Sequence, residues 1–292
     1  MPTQRLIYTN QNGESIELSP LSVYSTNVSE DVTGLSDVSA KVNTVQAIGQ
    51  DGVTWASTII QQRDITIKGR INERDVARKG IYRRGLNHVL NPKYKGRLEF
   101  IHGNFRRQIA CYPEKAPMYS GDRYYDLYTI DLVCPSPFWE EVTTSSVSVS
   151  SWESGWEFPF EIDEAGFIFG NKSLGVTVYV TNSGDTECGM SVKFTALGEV
   201  TNPELLNIRT GEFLRVNISM IAGDQIIINT HYGNKTAYLI RDKQSSTIFR
   251  YIDADSTFFM LDLGTNAFQA GAEFGAGDLD ITITYSNQYL GV

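Results

Sequence analysis

The stretch LVCPSPFWEE, Leu132 to Glu141, holds one of three cysteines, two prolines two residues apart, two bulky aromatics and two adjacent acids. Read as a reactive site, it would use Cys134 as nucleophile with Glu140 and Glu141 as base and acid. Read as a joint, it would end one folded unit and begin another. A nucleophilic thiol needs a base to ionise it, and no histidine-bearing signature accompanies this cysteine. Pro135 and Pro137 each fix their own φ and hold the preceding residue out of helical geometry. The chain therefore leaves the preceding strand stiff and extended, and Phe138 and Trp139 are expected to anchor that exit by packing. The joint reading predicts no catalytic residue here and two domains, 1–140 and 141–292.

The charge distribution points to the same place. The net charge is −9. Residues 1–141 carry 17 Lys and Arg against 16 Asp and Glu, a balance of +1, while residues 142–292 carry 8 against 18, a balance of −10. An acidic second half argues against a nucleic-acid partner, because phosphate repels it. At 292 residues the chain exceeds the usual single-domain size and is long enough to bury a core without disulfide or metal staples. The opening MPTQRLIYTN has no apolar export segment, and no apolar run approaches the roughly 18 residues of a membrane span, so a cytoplasmically made chain is expected. Cys111, Cys134 and Cys188 match no zinc or redox spacing and read as buried, reduced thiols.

Upstream of the joint the pattern is strands with one helix. RLIYTN and SIELS flank the Asn-Gly turn of QNGE, a hairpin signal. RDITIKGRI alternates, with Ile65, Ile67 and Ile71 on one face and Asp64, Thr66, Lys68 and Arg70 on the other. GRLEFIHGNFRRQIAC predicts a second hairpin turning at His102-Gly103-Asn104, and YTIDLVC places Tyr128, Ile130, Leu132 and Cys134 on one strand face. Between them INERDVARKGIYRRGLNHVLNP predicts a helix capped by Asn72, with Asp75 accepting backwards and Pro92 as the stop. Its apolar stripe would be Val76, Ile81, Leu86, Val89 and Leu90. Arg74, Arg78, Lys79, Arg83 and Arg84 would form a basic face, able to meet the phosphates of DNA but, with no recognised DNA-binding motif beside it, read as solvated or turned toward another subunit.

Downstream, eight short alternating runs follow one another with Gly, Asn, Asp and Ser turns and no helical period: GVTVYV, MSVKFTA, FLRVNISM, DQIIINT, KTAYLI, TIFRYI, STFFMLDL and DLDITITYS. They predict an antiparallel β-sandwich. GAEFGAG, Gly271 to Gly277, lacks the Lys-Ser/Thr ending of a phosphate loop and is expected to be a flexible loop. DADS, Asp253 to Ser256, lacks the Gly and distal Glu of a calcium loop. His88, His102 and His231 stand in no metal-ligand spacing, so no metal, cofactor or catalytic residue is expected. Trp152 and Trp156, with Phe158 and Phe160, are candidate sugar-stacking residues set against a packing role. A polysaccharide hydrolase would need two facing carboxylates, which counting acids does not reveal.

These residues together resemble the distal tail (Dit) protein family of long, flexible-tailed bacteriophages. In the first half the likeness rests on AIGQDGVTWASTIIQQRDITIKGRI, the single helix and YTIDLVCPSPFWEE, since that family ends its N-terminal domain with a similar Pro-x-Phe-Trp segment. In the second half it rests on FPF (158–160), NSGD (182–185), NPELLNIRTGEFLRVN (202–217), AGDQIIINT (222–230) and the terminal YSNQYLGV. The resemblance implies an N-terminal split β-barrel with one α-helix that assembles as a homo-hexameric ring, and a C-terminal galectin-like sandwich. It further implies a non-enzymatic hub at the virion's tail tip or baseplate, without a membrane partner. Such a hub would join the tail tube protein to tail-associated, tail-fibre and receptor-binding proteins. The alternative is a carbohydrate-binding adhesion module contacting the host cell wall.

Overall fold

A computed structural model describes residues 4–18, 27–121, 126–149, 151–154, 170–173 and 177–292. Antiparallel strands dominate them, and they contain one α-helix. The chain divides into two units, Met1–Val142 with Gln288–Val292, and Thr143–Asn287. The expected second domain, 141–292, thus differs at its end: the last five residues belong with the first unit. The reason is hydrogen bonding. The short strand Trp139–Glu141 pairs on one side with Phe105–Pro113, and its other edge is completed by Gln288–Tyr289.

In the first unit the sheet runs Ser15–Glu17, Gln4–Asn10, Gly96–His102, Phe105–Pro113, Asp126–Cys134, Arg63–Ile71, Asn27–Thr33. Period-2 patterning builds it, as two of its strands show. Along Arg63–Ile71 the residues Ile65, Ile67 and Ile71 are buried while Asp64 and Lys68 are exposed. Along Asp126–Cys134 the residues Tyr128, Ile130, Leu132 and Cys134 all face the core. Both expected hairpins form, the second turning through Gly103 at φ +63°.

The helix, Val76–Val89, departs from its expected cap. Asp75 itself is the N-cap, its carboxylate accepting from the amides of Ala77 (2.8 Å) and Arg78 (3.4 Å). Val76 and Ile81 are exposed, and Lys79 is buried in their stead beside Leu86. A buried acid explains the inversion. Asp126 lies at one end of its strand and draws both Lys79 Nζ (3.8 Å) and Arg83 Nε (2.7 Å) toward it. The basic face is therefore split, with Arg74, Arg78 and Arg84 left outward.

Among the described residues, Thr143–Asn287 contains a two-stranded sheet, Ser151–Ser154 with Gly170–Ser173, and two larger sheets. One runs Ser145–Ser148, Leu279–Tyr285, Met190–Ala196, Gln225–Asn229, Thr236–Arg241, Gln244–Thr247. The other runs Thr177–Asn182, Gly264–Phe274, Val200–Asn207, Phe213–Arg215, with Ser219–Met220 also on Val200–Asn207. Their inward residues make one core, including Val180, Val192, Phe194, Leu205, Phe268 and Ile283.

Four of the expected elements differ. TIFRYI contains a 3₁₀ turn, Phe249–Tyr251. STFFMLDL buries Phe259 and Leu261 alternately yet forms no strand, meeting its neighbours at single points, where the Thr257 amide donates to Phe213 O and where Leu261 bridges Cys188. Alternation reports which side chains are buried, not whether a second strand lies alongside. FLRVNISM breaks into Phe213–Arg215 and Ser219–Met220 because it carries one residue more than its partner strand across 216–218, where Val216 N donates to Pro203 O and Asn202 N donates to Ile218 O. GAEFGAG is not a loop at its start, since Gly271–Phe274 complete the strand Gly264–Phe274. Gly275 then turns at φ +74°, where a Cβ would lie 1.9 Å from the Glu199 carbonyl.

Candidate functional site

The segment after Cys134 leads into a clasp organised around one buried cation. Pro135 and Ser136 are exposed, Pro137 and Phe138 are half-buried, and Trp139 is fully buried. Trp139 sits in the core of the first unit, and its indole Nε1 donates to the Leu35 carbonyl at 2.9 Å. Beside it Arg63, only 1% exposed, directs its guanidinium at five backbone carbonyls. Nε donates to Pro137 O (2.8 Å). Nη1 donates to Gly34 O (2.7 Å), Leu35 O (3.1 Å) and Asp37 O (2.8 Å). Nη2 donates to Leu290 O. Three separate pieces of chain, the 34–37 loop, the exit at Pro137 and the C-terminal segment, are thus held by one side chain.

Arginine suits this position for physical reasons. Its five N–H groups form a fixed fork, and it keeps its charge under conditions where a buried lysine sheds its proton. Burial lowers Arg63 from its ordinary value. The carbonyl dipoles offset the lost hydration without requiring a second buried charge.

The C-terminal residues add further ties. Trp139 pairs with Tyr289 and Glu140 with Gln288 in the strand ladder. The Tyr289 hydroxyl donates to Glu141 at 2.5 Å, and the Arg107 guanidinium lies over the Tyr289 ring. Arg107 Nη1 donates to Gly291 O (2.6 Å), and the Ser36 hydroxyl donates to Val292 O (2.7 Å). Two glycines permit the close approach. A Cβ on Gly34, at φ +85°, would lie 2.1 Å from the Asp64 carbonyl, and one on Gly291 would lie 2.9 Å from the Ser36 carbonyl. Glu140 and Glu141 therefore bond Gln288 and Tyr289 rather than serving Cys134.

Nothing in this arrangement resembles an acid–base pair. His88 bonds Glu14 at 2.8 Å, and His231 bonds Asn229 at 2.6 Å. Among the described residues no group of His, Cys, Asp and Glu is placed to hold a metal ion. A groove of about 310 Å³ in the second unit is lined by Asn202, Glu204, Arg215, Gly271, Ala272 and Glu273. Its polar groups engage one another, Glu204 with Arg215 and Asn202 with Glu273. Trp156, Phe158 and Phe160 lie outside the described residues, and Trp152 is described only as backbone of the strand Ser151–Ser154.

Arg63 was missing from the expected site, although its signal is present. The alternation that turns Ile65, Ile67 and Ile71 inward puts Arg63 on the same face. A second omitted feature is the hairpin of Ala40–Val45 and Thr54–Ile60, a separate two-stranded sheet. Val42, Val45, Ile48, Val53, Trp55 and Ile59 are all exposed on it, Trp55 by 64% and Ile59 by 59%. The Asp51-Gly52 pair between two β-prone runs is the sequence cue.

Two family models match the chain in succession. Residues 12–134 match the phage tail protein RIFT-related domain, and residues 183–289 match the siphovirus-type tail component, C-terminal domain. These place the chain in the class of phage tail proteins. Solved structures share the fold. The Dit protein of phage SPP1, described as a paradigm of hub adsorption apparatus in phages infecting Gram-positive bacteria, matches with a TM-score of 0.69 at 14% identity, covering 98% of this chain and 99% of that one. A chain of the phage P2 baseplate in its activated conformation with Ca matches with a TM-score of 0.56 at 12% identity over 100% of both. No curated protein sequence matches the chain. The chain belongs to the siphophage distal tail protein (Dit) family, and its role is structural, in the phage tail or baseplate.

Proposed function

We propose that the protein is the hub of a phage tail tip, closing with five further copies into a ring. That ring would link the tail tube to tail-associated, tail-fibre and receptor-binding proteins of the virion, after synthesis in the bacterial host's cytoplasm. In this reading 1–140 supply the ring and the sandwich that follows is an appendage, with the clasp fixing where the chain leaves and re-enters the first unit. The carrying observation is the Ala40–Ile60 hairpin. A lone two-stranded hairpin is marginal in water, and this one exposes apolar side chains on both faces. A closed cyclic assembly requires each copy to present two different complementary surfaces, and a protruding apolar hairpin supplies one of them. Residues with no structural need to be apolar are thereby accounted for.

Mass measurement of the intact protein across a concentration series, with and without tail tube protein as template, tests the reading. The expected product is a closed assembly of six copies that Trp55→Ser combined with Ile59→Ser prevents. A chain that stays monomeric in every condition, or a double variant that assembles like the parent, would refute it.

A further inference from the structure

Two of the three thiols meet in the core of the first unit. Cys111 lies in Phe105–Pro113, and Cys134 closes Asp126–Cys134. These strands pair antiparallel, with Leu132 opposite Pro113 and Val133 opposite Tyr112. One step further in the same register sets Cys134 directly opposite Cys111.

Hydrogen bonding identifies the type of pair. The Glu114 amide donates to the Asp131 carbonyl at 2.9 Å, which marks 114 and 131 as a hydrogen-bonded pair. Bonded and non-bonded pairs alternate along an antiparallel ladder. Pro113 with Leu132 is then non-bonded, as suits a residue lacking an N–H, Tyr112 with Val133 is bonded, and Cys111 with Cys134 is non-bonded. At such pairs the Cα atoms are about 4.5 Å apart and the side chains closest, within the roughly 4.4–6.8 Å that a disulfide spans. Both side chains are fully buried. The bond to the Cys134 thiol, and then burial, hold Cys111 well above its ordinary pKa, so it rests as an unreactive thiol near neutral pH. Cys188 belongs to the other unit and has Leu261 opposite it.

We infer that Cys111 and Cys134 form a cross-strand disulfide when the protein meets a small disulfide oxidant. One cysteine sulfur attacks the oxidant's S–S bond and expels a small thiol. The second cysteine attacks the resulting mixed disulfide and expels the other. Two protein S–H bonds and the oxidant's S–S bond are replaced by one protein S–S bond and two S–H bonds on the released thiols, so two electrons pass to the oxidant. The product ties Phe105–Pro113 to the last residue before Pro135 and pins the strand that enters the clasp. This chemistry stands independently of the ring reading.

The test uses the full-length protein and oxidised glutathione. After incubation in urea just below the unfolding midpoint, which lets the core open transiently, the sample is quenched in acid, alkylated and digested. The expected result is an intact mass lower by two hydrogens, a Cys111 peptide linked to a Cys134 peptide, alkylated Cys188, and a higher urea midpoint that reductant reverses. Cys188→Ser is expected to behave identically, while Cys134→Ala forms no internal link. Recovery of all three thiols alkylated, glutathione retained on either cysteine of the parent protein, or links only between molecules would overturn the inference.

Discussion

The Arg63 clasp and the Ala40–Ile60 hairpin belong to the same unit and invert the usual rule in opposite senses. In the clasp a permanent cation is inside, and each hydrogen bond described for its guanidinium goes to a backbone carbonyl. In the hairpin tryptophan, isoleucine and valine are outside. Neither is an economical solution for an isolated domain, because burying a charge forfeits hydration and exposing an indole forfeits hydrophobic stabilisation. The difference teaches where each unfavourable placement is compensated. The clasp is compensated within the chain, by converging carbonyls, so it should matter for stability. The hairpin has no such compensation within its own sheet, so it should matter for association and little for folding.

The sharpest attempt to break this contrast is Arg63→Met, which keeps the length of the side chain and leaves the carbonyls of Gly34, Leu35, Asp37, Pro137 and Leu290 without their donor. A loss of about 3–5 kcal/mol in urea unfolding is expected, with Arg63→Lys recovering only part. An unchanged midpoint would show that the clasp is ornamental. Trp139→Phe keeps the ring but removes the indole donor to Leu35, and a loss of about 1–3 kcal/mol is expected by the same measurement.

Acid sensitivity separates the clasp from an ion pair whose acid alone is buried. In the second unit Asp224 is held below the usual carboxylate range, first by its bond to Arg241 and also by the Ile221 amide. A depressed folded-state pKa contributes stability that is present above the unfolded value and is lost as pH falls through the folded one. Thermal melts from pH 6 downward should therefore show an acid loss that Asp224→Asn reduces, while Arg63, a guanidinium, adds none in that window. Asp75→Ala, which removes the helix cap, should cost about 1 kcal/mol. At the small end, Trp55→Ser should change protomer stability by no more than about 0.5 kcal/mol while weakening assembly. A large folding defect there would mean that the hairpin is part of the core after all.

Much of the fold was legible because alternation is a local property. The residues of Arg63–Ile71, Met190–Ala196 and Leu279–Tyr285 face the core in the phase their sequences announce. A stiff exit after Cys134 is expected for the same kind of reason, since proline restricts its own and its neighbour's torsions whatever lies around it. Misreadings came where a partner decided the outcome. STFFMLDL has the pattern of a strand but joins no ladder, touching its neighbours at single points, and FLRVNISM is divided where it carries one residue more than the strand it pairs with. Lys79 is drawn inward by Asp126, forty-seven positions away in sequence.

By itself, then, the amino-acid order determined the β class and the helix, both set by torsions and by which side of an element is apolar. Only the tertiary structure decided that the last five residues return to the first unit, that Arg63 gathers carbonyls from residues 34 to 290, and that Cys111 faces Cys134. Those are pairings between distant positions. Short-range chemistry specifies each participant, but the register that brings them together is set by the packing of the whole sheet.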